Sequence, residues 1–287
     1  MVLHIVMDNL FNSPEQVIET NIAGGVRKVN LPIVKMIVLG IMAGAMIALG
    51  AATSSTAAHA IDNVGLARLV AGVIFPVGLM LITFIGGELF TGNCLTAMGA
   101  MDGRFSWSKV VRDLCIIWVS NLIGALIIAL LTYYSGNLDY SAGLLGAYSI
   151  KVALGKATIS PIKGITSGIL CNILVCAAIL MATAAKDIGG KVWAIFFPIM
   201  AFVVGGFEHC VANMFYIPIG IIASTNDAYV AKAQEAYGIT AEQLSNLSIA
   251  GFFTNQIPVT IGNIIGGMIF VGLPCYYVHV RANKKAD

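Results

Sequence analysis

Two short segments place ionisable and hydrogen-bonding side chains among almost wholly apolar neighbours. Gly86-Gly87-Glu88-Leu89-Phe90-Thr91-Gly92-Asn93 interrupts one hydrophobic run, and Gly205-Gly206-Phe207-Glu208-His209-Cys210-Val211-Ala212-Asn213 interrupts another. A carboxylate facing lipid is costly, so Glu88 and Glu208 must face the protein interior or a watery cavity. His209 alone among the histidines lies at clear membrane depth; His4, His59 and His279 lie at a terminus or at span ends. An imidazole ordinarily titrates near neutral pH, which makes His209 a candidate for proton exchange. Thr91, its approximate counterpart in the other segment, can donate or accept a hydrogen bond. Asn172, deep in a third apolar run, needs buried partners and either orients the imidazole or serves helix packing. This is the chemistry of proton exchange and of hydrogen bonding to a small solute, not of bond making. The sequence carries no nucleophile triad, nucleotide-binding glycine motif or metal-ligand spacing. Cys94, Cys115, Cys171, Cys176, Cys210 and Cys275 fall within or at the edges of apolar stretches and read as reduced core thiols, so neither metal nor cofactor is expected.

The elements that hold these groups follow from composition. The chain has 287 residues, 58% hydrophobic and 10% charged, with net charge +2. A soluble domain carries about 25% charged residues. So little charge cannot cover the outside of a soluble globule, and the apolar surface must face lipid. The near-neutral balance and the lack of a basic run argue against nucleic acid as a partner. Six stretches are long and apolar enough to cross a bilayer: roughly 31–52, 66–91, 109–134, 160–184, 192–219 and 253–279. An even number leaves both termini on one side. That side holds eleven lysines and arginines against five on the other, which predicts cytoplasmic termini. Residues 1–30 lack a basic segment followed by an apolar core, so no cleaved signal peptide is expected.

The two halves echo one another. Lys28-xxx-Pro32-xx-Lys35 returns as Lys156-xxxx-Pro161-x-Lys163, Gly40-Ile-Met as Gly168-Ile-Leu, and Asn121-Leu-Ile-Gly124 as Asn263-Ile-Ile-Gly266. Three spans per half put the second half in the membrane upside down, an inverted repeat with a substrate path between the halves. The expected organisation is a cytoplasmic segment 1–30 with a short helix, repeats 31–134 and 160–279, an extracellular linker 135–159 and a tail 280–287. The glycine pairs predict broken helices in spans 2 and 5. Pro76 and Pro198 predict kinks there. Ser13-Pro14-Glu15, after Asp8, reads as a helix start, and Thr240-x-x-Gln243 as a capping box in a loop outside the membrane. Lys156, just before span 4, would attract anions to the outer mouth or serve as a solvated interface lysine.

Gly87-Glu88-Leu89-Phe90-Thr91-Gly92-Asn93 and Gly206-Phe207-Glu208-His209-Cys210-Val211-Ala212-Asn213-Met214 resemble the two signatures of the formate/nitrite transporters. Gly168-Ile-Leu-Cys-Asn172 and Ile257-Pro258-Val-Thr-Ile-Gly262-Asn263-Ile-Ile-Gly266 extend the likeness over all six spans. The resemblance implies an all-α, aquaporin-like protomer with helices 2 and 5 broken, assembled as a homopentamer in the cell membrane. It also implies a path past Lys156, Thr91, Asn172 and His209, with Phe75, Leu79, Leu89 and Phe202 as apolar constrictions and Glu88, Glu208, Asn213 and Asn263 in support. The segment after Lys156, Ala-Thr-Ile-Ser-Pro, departs from the His-rich run of formate-channel relatives, which leaves nitrite and hydrosulfide open beside formate.

The reading is therefore a transporter, not an enzyme, that passes a small weak-acid anion with protons. Lys156 would draw the anion in, Thr91 would hold its oxygen, and a proton from or through His209 would let the neutral acid cross the apolar collar. A neutral-solute channel of the aquaporin kind would carry Asn-Pro-Ala at both breaks, and no such triplet occurs. A haem-binding bundle would need paired deep histidines, and only His209 qualifies.

Overall fold

A computed structural model of the protein describes residues 11–282. The readings that fall on His4, Asp8, Lys284 and Lys285 lie outside the described residues. In lipid a backbone finds no partner but itself, so each long apolar run closes its own hydrogen bonds as helix. Helix α1 (Pro14–Val29) opens with the expected cap: Gln16 N–H donates to Ser13 Oγ while Ser13 N–H donates to the Gln16 side chain. It buries Val17, Ile18 and Ile22 along the underside of the bundle. There follow α2 (Ile33–Ala58), α3 (Val64–Ile74), α4 (Val77–Ile85), the short α5 (Phe90–Asn93) and α6 (Ala97–Met101), and α7 (Trp107–Tyr134). The second half comprises α8 (Leu144–Ala157), α9 (Pro161–Ala184), α10 (Ile188–Gly205), α11 (Cys210–Ala223), α12 (Asp227–Tyr237), α13 (Ala241–Leu244) and α14 (Ile249–Ile265), which runs on as α15 (Leu273–Tyr276) and flanking π-helical turns to Arg281.

Six of these helices or helix pairs are long and apolar enough to cross a membrane: Ile33–Ala58, Val64–Ile85, Trp107–Tyr134, Pro161–Ala184, Ile188–Gly205 and Ile249–Arg281. They match the six expected spans. The face that carries α1 is called here the α1 face, and the other the far face. Spans 2 and 5 are broken, at 86–89 and 206–209. Proline has no N–H for the ladder, and a tight turn at Phe75–Pro76 does divide α3 from α4. Pro198, by contrast, sits inside an uninterrupted α10. The segment expected as linker, 135–159, carries the 14-residue helix α8, which packs on α11 and ends with Lys156 in its last turn. Thr240 and Gln243 form the expected capping box at α13. Of the six free cysteines, Cys115 is exposed and Cys275 half-buried rather than in the core.

Two tight crossings, α2 on α7 and α9 on α14, build the frame around the breaks. Both depend on glycine. A Cβ added at Gly44 would meet the Asn121 carbonyl, and one at Gly262 would meet the Ile165 carbonyl. Without side chains there, backbones approach closely enough for van der Waals contact to replace the hydrophobic drive that lipid removes.

Candidate functional site

Each break needs a residue that tolerates left-handed or extended backbone and a partner for the groups it frees. Gly86, with φ 94°, ends α4, and Gly206, with φ 69°, ends α10. The freed groups then meet one buried asparagine each. Asn121 Nδ2 donates to Gly40 O at 2.8 Å and Glu88 O at 2.9 Å, while its Oδ1 accepts from Phe90 N at 2.9 Å. Asn263 Nδ2 donates to Gly168 O at 2.8 Å and Glu208 O at 3.0 Å, while its Oδ1 accepts from Cys210 N at 2.9 Å. The bonds are the same in kind and place. They fix the register between the halves, Phe90 with Cys210 and Leu89 with His209. Thr91 therefore corresponds to Val211, not to His209 as the sequence reading has it: Thr91 stands three residues after Glu88, and His209 one residue after Glu208.

The two glutamates sit in matching ionic clusters. Lys28 Nζ lies 2.7 Å from both Glu88 Oε2 and Asn93 Oδ1, and Asn93 Nδ2 donates to Glu88 Oε2 at 2.6 Å. Across the molecule, Lys156 Nζ donates to Glu208 Oε1 at 2.9 Å and Asn213 Nδ2 to Glu208 Oε2 at 2.6 Å. Asn255 Nδ2 also reaches Glu208 Oε2, at 3.2 Å, and Asn255 Oδ1 accepts from Asn213 Nδ2 at 2.8 Å. Neither lysine is a bare charge. Lys156 is the more enclosed, with 17% of its side chain exposed against 36% for Lys28, and its ammonium stands 5.3 Å from the Tyr216 ring.

Between the clusters lies the centre. His209 caps α11: its Nδ1 accepts from Ala212 N–H at 3.0 Å. A nitrogen that accepts carries no proton, so the neutral ring bears its hydrogen on Nε2 and donates it to Thr91 Oγ1 at 2.9 Å. Both residues are buried. Asn172 does not touch the imidazole. Its Nδ2 bonds Thr91 O at 3.2 Å and Asn263 O at 2.6 Å, tying the first break to span 6. Of the two readings of Asn172, its hydrogen bonds follow the packing one: it holds the backbone of that ring's partner and has no hydrogen bond to His209.

Phe202 stacks on His209 with centroids 5.7 Å apart and meets Phe75 edge-on at 5.4 Å. These three line a cavity of about 740 Å³ that opens on the far face and holds Lys156, Glu208 and Asn213 on its wall. Leu79 and Leu89 line a second cavity of about 510 Å³, beside Lys28, Glu88 and Asn93 on the α1 side. Thr91 and Asn172 border neither cavity. The protein thus has two vestibules separated by a septum in which the Thr91–His209 pair joins the halves. Cations outnumber carboxylates in both vestibules: Arg68, Lys151 and Lys156 against Asp62 and Glu208, and Arg27 and Lys28 against Glu88. Among the described residues no group of three or more His, Cys, Asp or Glu side chains is placed to hold a metal ion.

The family model described as formate/nitrite transporter matches residues 15–277. The chain belongs to the formate/nitrite transporter family. A probable formate transporter of Methanothermobacter thermautotrophicus is 39% identical, over 96% of this chain and 100% of that one. The formate channel FocA of Escherichia coli (strain K12) is 35% identical, over 90% of this chain and 91% of its own length. A solved pentameric formate channel with formate bound superposes with a TM-score of 0.75 at 30% identity, covering 86% of this chain and 98% of that one. An aquaglyceroporin from Plasmodium falciparum, 14% identical over 86% of this chain and 100% of its own, shares the fold with a TM-score of 0.51. This member of the formate/nitrite transporters is therefore a multi-pass membrane protein of aquaporin-like fold whose family transports rather than catalyses.

Within this formate/nitrite transporter the structure brings together Lys156, Glu208, Asn213 and His209 on one vestibule and joins His209 to Thr91 across the halves. Sequence reasoning missed Lys28, Asn93, Asn121 and Asn255. A signal for three of them existed. Lys28 and Asn121 stand in repeat register with Lys156 and Asn263, and Asn93 with Asn213, so each singled-out residue in one half named its partner in the other. Asn255 carried none, because its counterpart eight residues before Asn121 is Asp113.

Proposed function

We propose that the protein is a proton-coupled channel for the anions of small weak acids, formate first, with nitrite and hydrosulfide as further candidates. The observation that carries this is the apolar collar of Phe75, Phe202, Leu79 and Leu89 between two cationic vestibules. A bare anion in a low-dielectric passage loses hydration worth tens of kcal/mol in the idealised limit, whereas the neutral acid does not. Lys156 on the far side and Lys28 on the α1 side raise the anion's concentration at the septum, each held in reach by its glutamate. The proton joins the anion where vestibule meets septum, and the neutral acid passes Phe75 and Phe202, then Leu79 and Leu89. His209 Nε2–H and the Thr91 hydroxyl supply hydrogen bonds on the way. His209 acts as a neutral donor in this reading, because protonating Nδ1 would break the cap bond to Ala212. The formate named for the relatives and the pentamer of the formate-bound neighbour support the same substrate and a homopentamer here. The excess of basic residues on the α1 face supports cytoplasmic termini in the cell membrane, with each three-span repeat as one half of the pore.

The test is formate uptake into proteoliposomes with internal pH followed at the same time. One proton is expected to enter with each formate, and uptake should rise as external pH falls. His209→Phe should lose most of the rate. An unchanged rate and pH profile in that variant would remove His209 from the path.

A further inference from the structure

The two vestibule lysines sit at the ends of helices, Lys28 in the last turn of α1 and Lys156 in the last turn of α8, and each end is closed locally by its own cap, Asn30 N–H to the Arg27 and Lys28 carbonyls and Thr158 N–H to the Leu154 and Lys156 carbonyls. On the far side the carbonyl of Lys156 itself accepts from Asn255 Nδ2 at 3.1 Å, so the amide that binds Glu208 also pins the helix end. Asn255 precedes the frame residue Asn263 by eight positions. In the first half the residue eight positions before Asn121 is Asp113. A carboxylate paired with an arginine has no hydrogen to donate to a carbonyl as Asn255 does. Instead Asp113 Oδ1 holds its neighbour Arg112, with Nε and an Nη both at 2.7 Å, and Arg112 Nη2 donates to Val29 O at 2.8 Å, one residue past Lys28. Lys109, one turn earlier, adds a bond to Asn30 Oδ1 at 3.0 Å.

We infer that the Arg112–Asp113 pair is the positioning device for Lys28, doing for the α1-side vestibule what Asn255 does for Lys156. Two independent features support it. The carbonyls held lie at and next to the lysines in the two halves, and Asp113, which holds the donating Arg112, shares with Asn255 the repeat register fixed by the identical bonds of Asn121 and Asn263. The chemistry differs in one respect. Asn255 is a fully buried neutral amide, whereas Arg112 leaves 42% of its side chain exposed. The α1-side device is therefore screened by salt and the far-side device is not. Neither Arg112 nor Asp113 borders a vestibule, so their effect runs through Lys28.

The inference rests on the proposed capture of the anion by Lys28, and the experiment separates the two. Initial formate rates are measured in proteoliposomes of fixed orientation, with formate supplied on one side at a time. The double variant Arg112→Gln with Asp113→Asn removes the ion pair without leaving a lone buried charge. It should raise KM from the α1 side about fivefold, the size of one net hydrogen bond, with the limiting rate and the far-side KM unchanged. Arg112→Lys should restore part of the loss. High salt should raise the α1-side KM of both the natural protein and the double variant, because it screens Lys28 itself, and should raise that of the natural protein by the larger factor. If Lys28→Gln raises the α1-side KM and the double variant does not, the positioning role is overturned and the capture role stands. If Lys28→Gln itself leaves that KM unchanged, the capture reading fails first. A double variant that loses limiting rate and amount of folded protein with both KM values unchanged overturns the inference, because that is the signature of a merely structural pair.

Discussion

The two halves solve one problem twice and, around the site, differ in two residues and one contact. Both break a span with a glycine at positive φ, stitch the break with an asparagine, and pair a glutamate with a lysine and an asparagine. At the point equivalent to His209, however, the first half has Leu89. At the point equivalent to Asn255 it has Asp113. Lys28 reaches both Glu88 and Asn93 Oδ1, whereas Lys156 reaches Glu208 and leaves Asn213 Oδ1 buried without a partner. The lesson is that the scaffold is symmetric where backbone must be satisfied and asymmetric where a solute passes. An unsatisfied backbone group in a membrane is costly wherever it lies, so both halves need the stitch. A single narrow septum needs only one imidazole.

The largest effect that tests this comparison concerns the stitches. Asn121→Leu and Asn263→Leu each strand the two backbone groups that the break frees, at about 1–3 kcal/mol per group, and both variants should lose folded protein in detergent. A variant that keeps its thermal midpoint would break the symmetry argument. Next come the ion pairs. Glu208→Gln leaves Lys156 enclosed and unpaired, at about 3–5 kcal/mol for a fully buried pair. Glu88→Gln should cost clearly less, because Lys28 is twice as exposed and water can stand in for the lost partner. Equal losses in thermal unfolding would show that the vestibules hold their lysines alike.

A smaller effect tests the septum. Thr91→Val removes the acceptor of His209 Nε2–H and should cost about 1–2 kcal/mol together with most of the formate flux, whereas Thr91→Ser should keep both. The smallest concerns an element without a counterpart in the first half. Tyr229 of α12 donates to Asp139 at 2.5 Å and packs on Gly146 of α8; burial, then that hydrogen bond, push its phenol up to about 12. A raised folded value means the bond's contribution is whole below the ordinary tyrosine value of about 10 and fades as pH climbs through the folded one. Tyr229→Phe should therefore lower stability by about 1 kcal/mol, evenly between pH 6 and 9 in round terms. A loss that varied across that range would point to a different titrating group.

The sequence made the site half legible. Glu88, Glu208 and His209 stand out because charge and imidazole are rare in apolar runs, and the glycine pairs beside them announced the breaks. Lys28 did not stand out, since a lysine before the first span is also what topology alone demands. Asn172 was visible as a buried amide, yet its partners were not, because two backbone carbonyls leave no trace in residue identity. Helix α8 was hidden for a related reason: its 14 residues are too few for a span and too mixed in character to separate from loop.

Composition and periodicity by themselves determined the membrane, the six spans, the inverted repeat and the deep polar residues, because lipid punishes any misplaced charge or unpaired backbone and so writes its demands into the sequence. Only the tertiary structure decided which polar groups meet: that Lys156 is neutralised by Glu208, that His209 is held in one tautomer by Ala212 N–H and Thr91, and that the lysine-bearing helix ends are pinned by an amide on one side and an ion pair on the other. Those choices depend on distances between residues far apart in the chain, and hydrogen bonds and ion pairs are decided within a few tenths of an ångström.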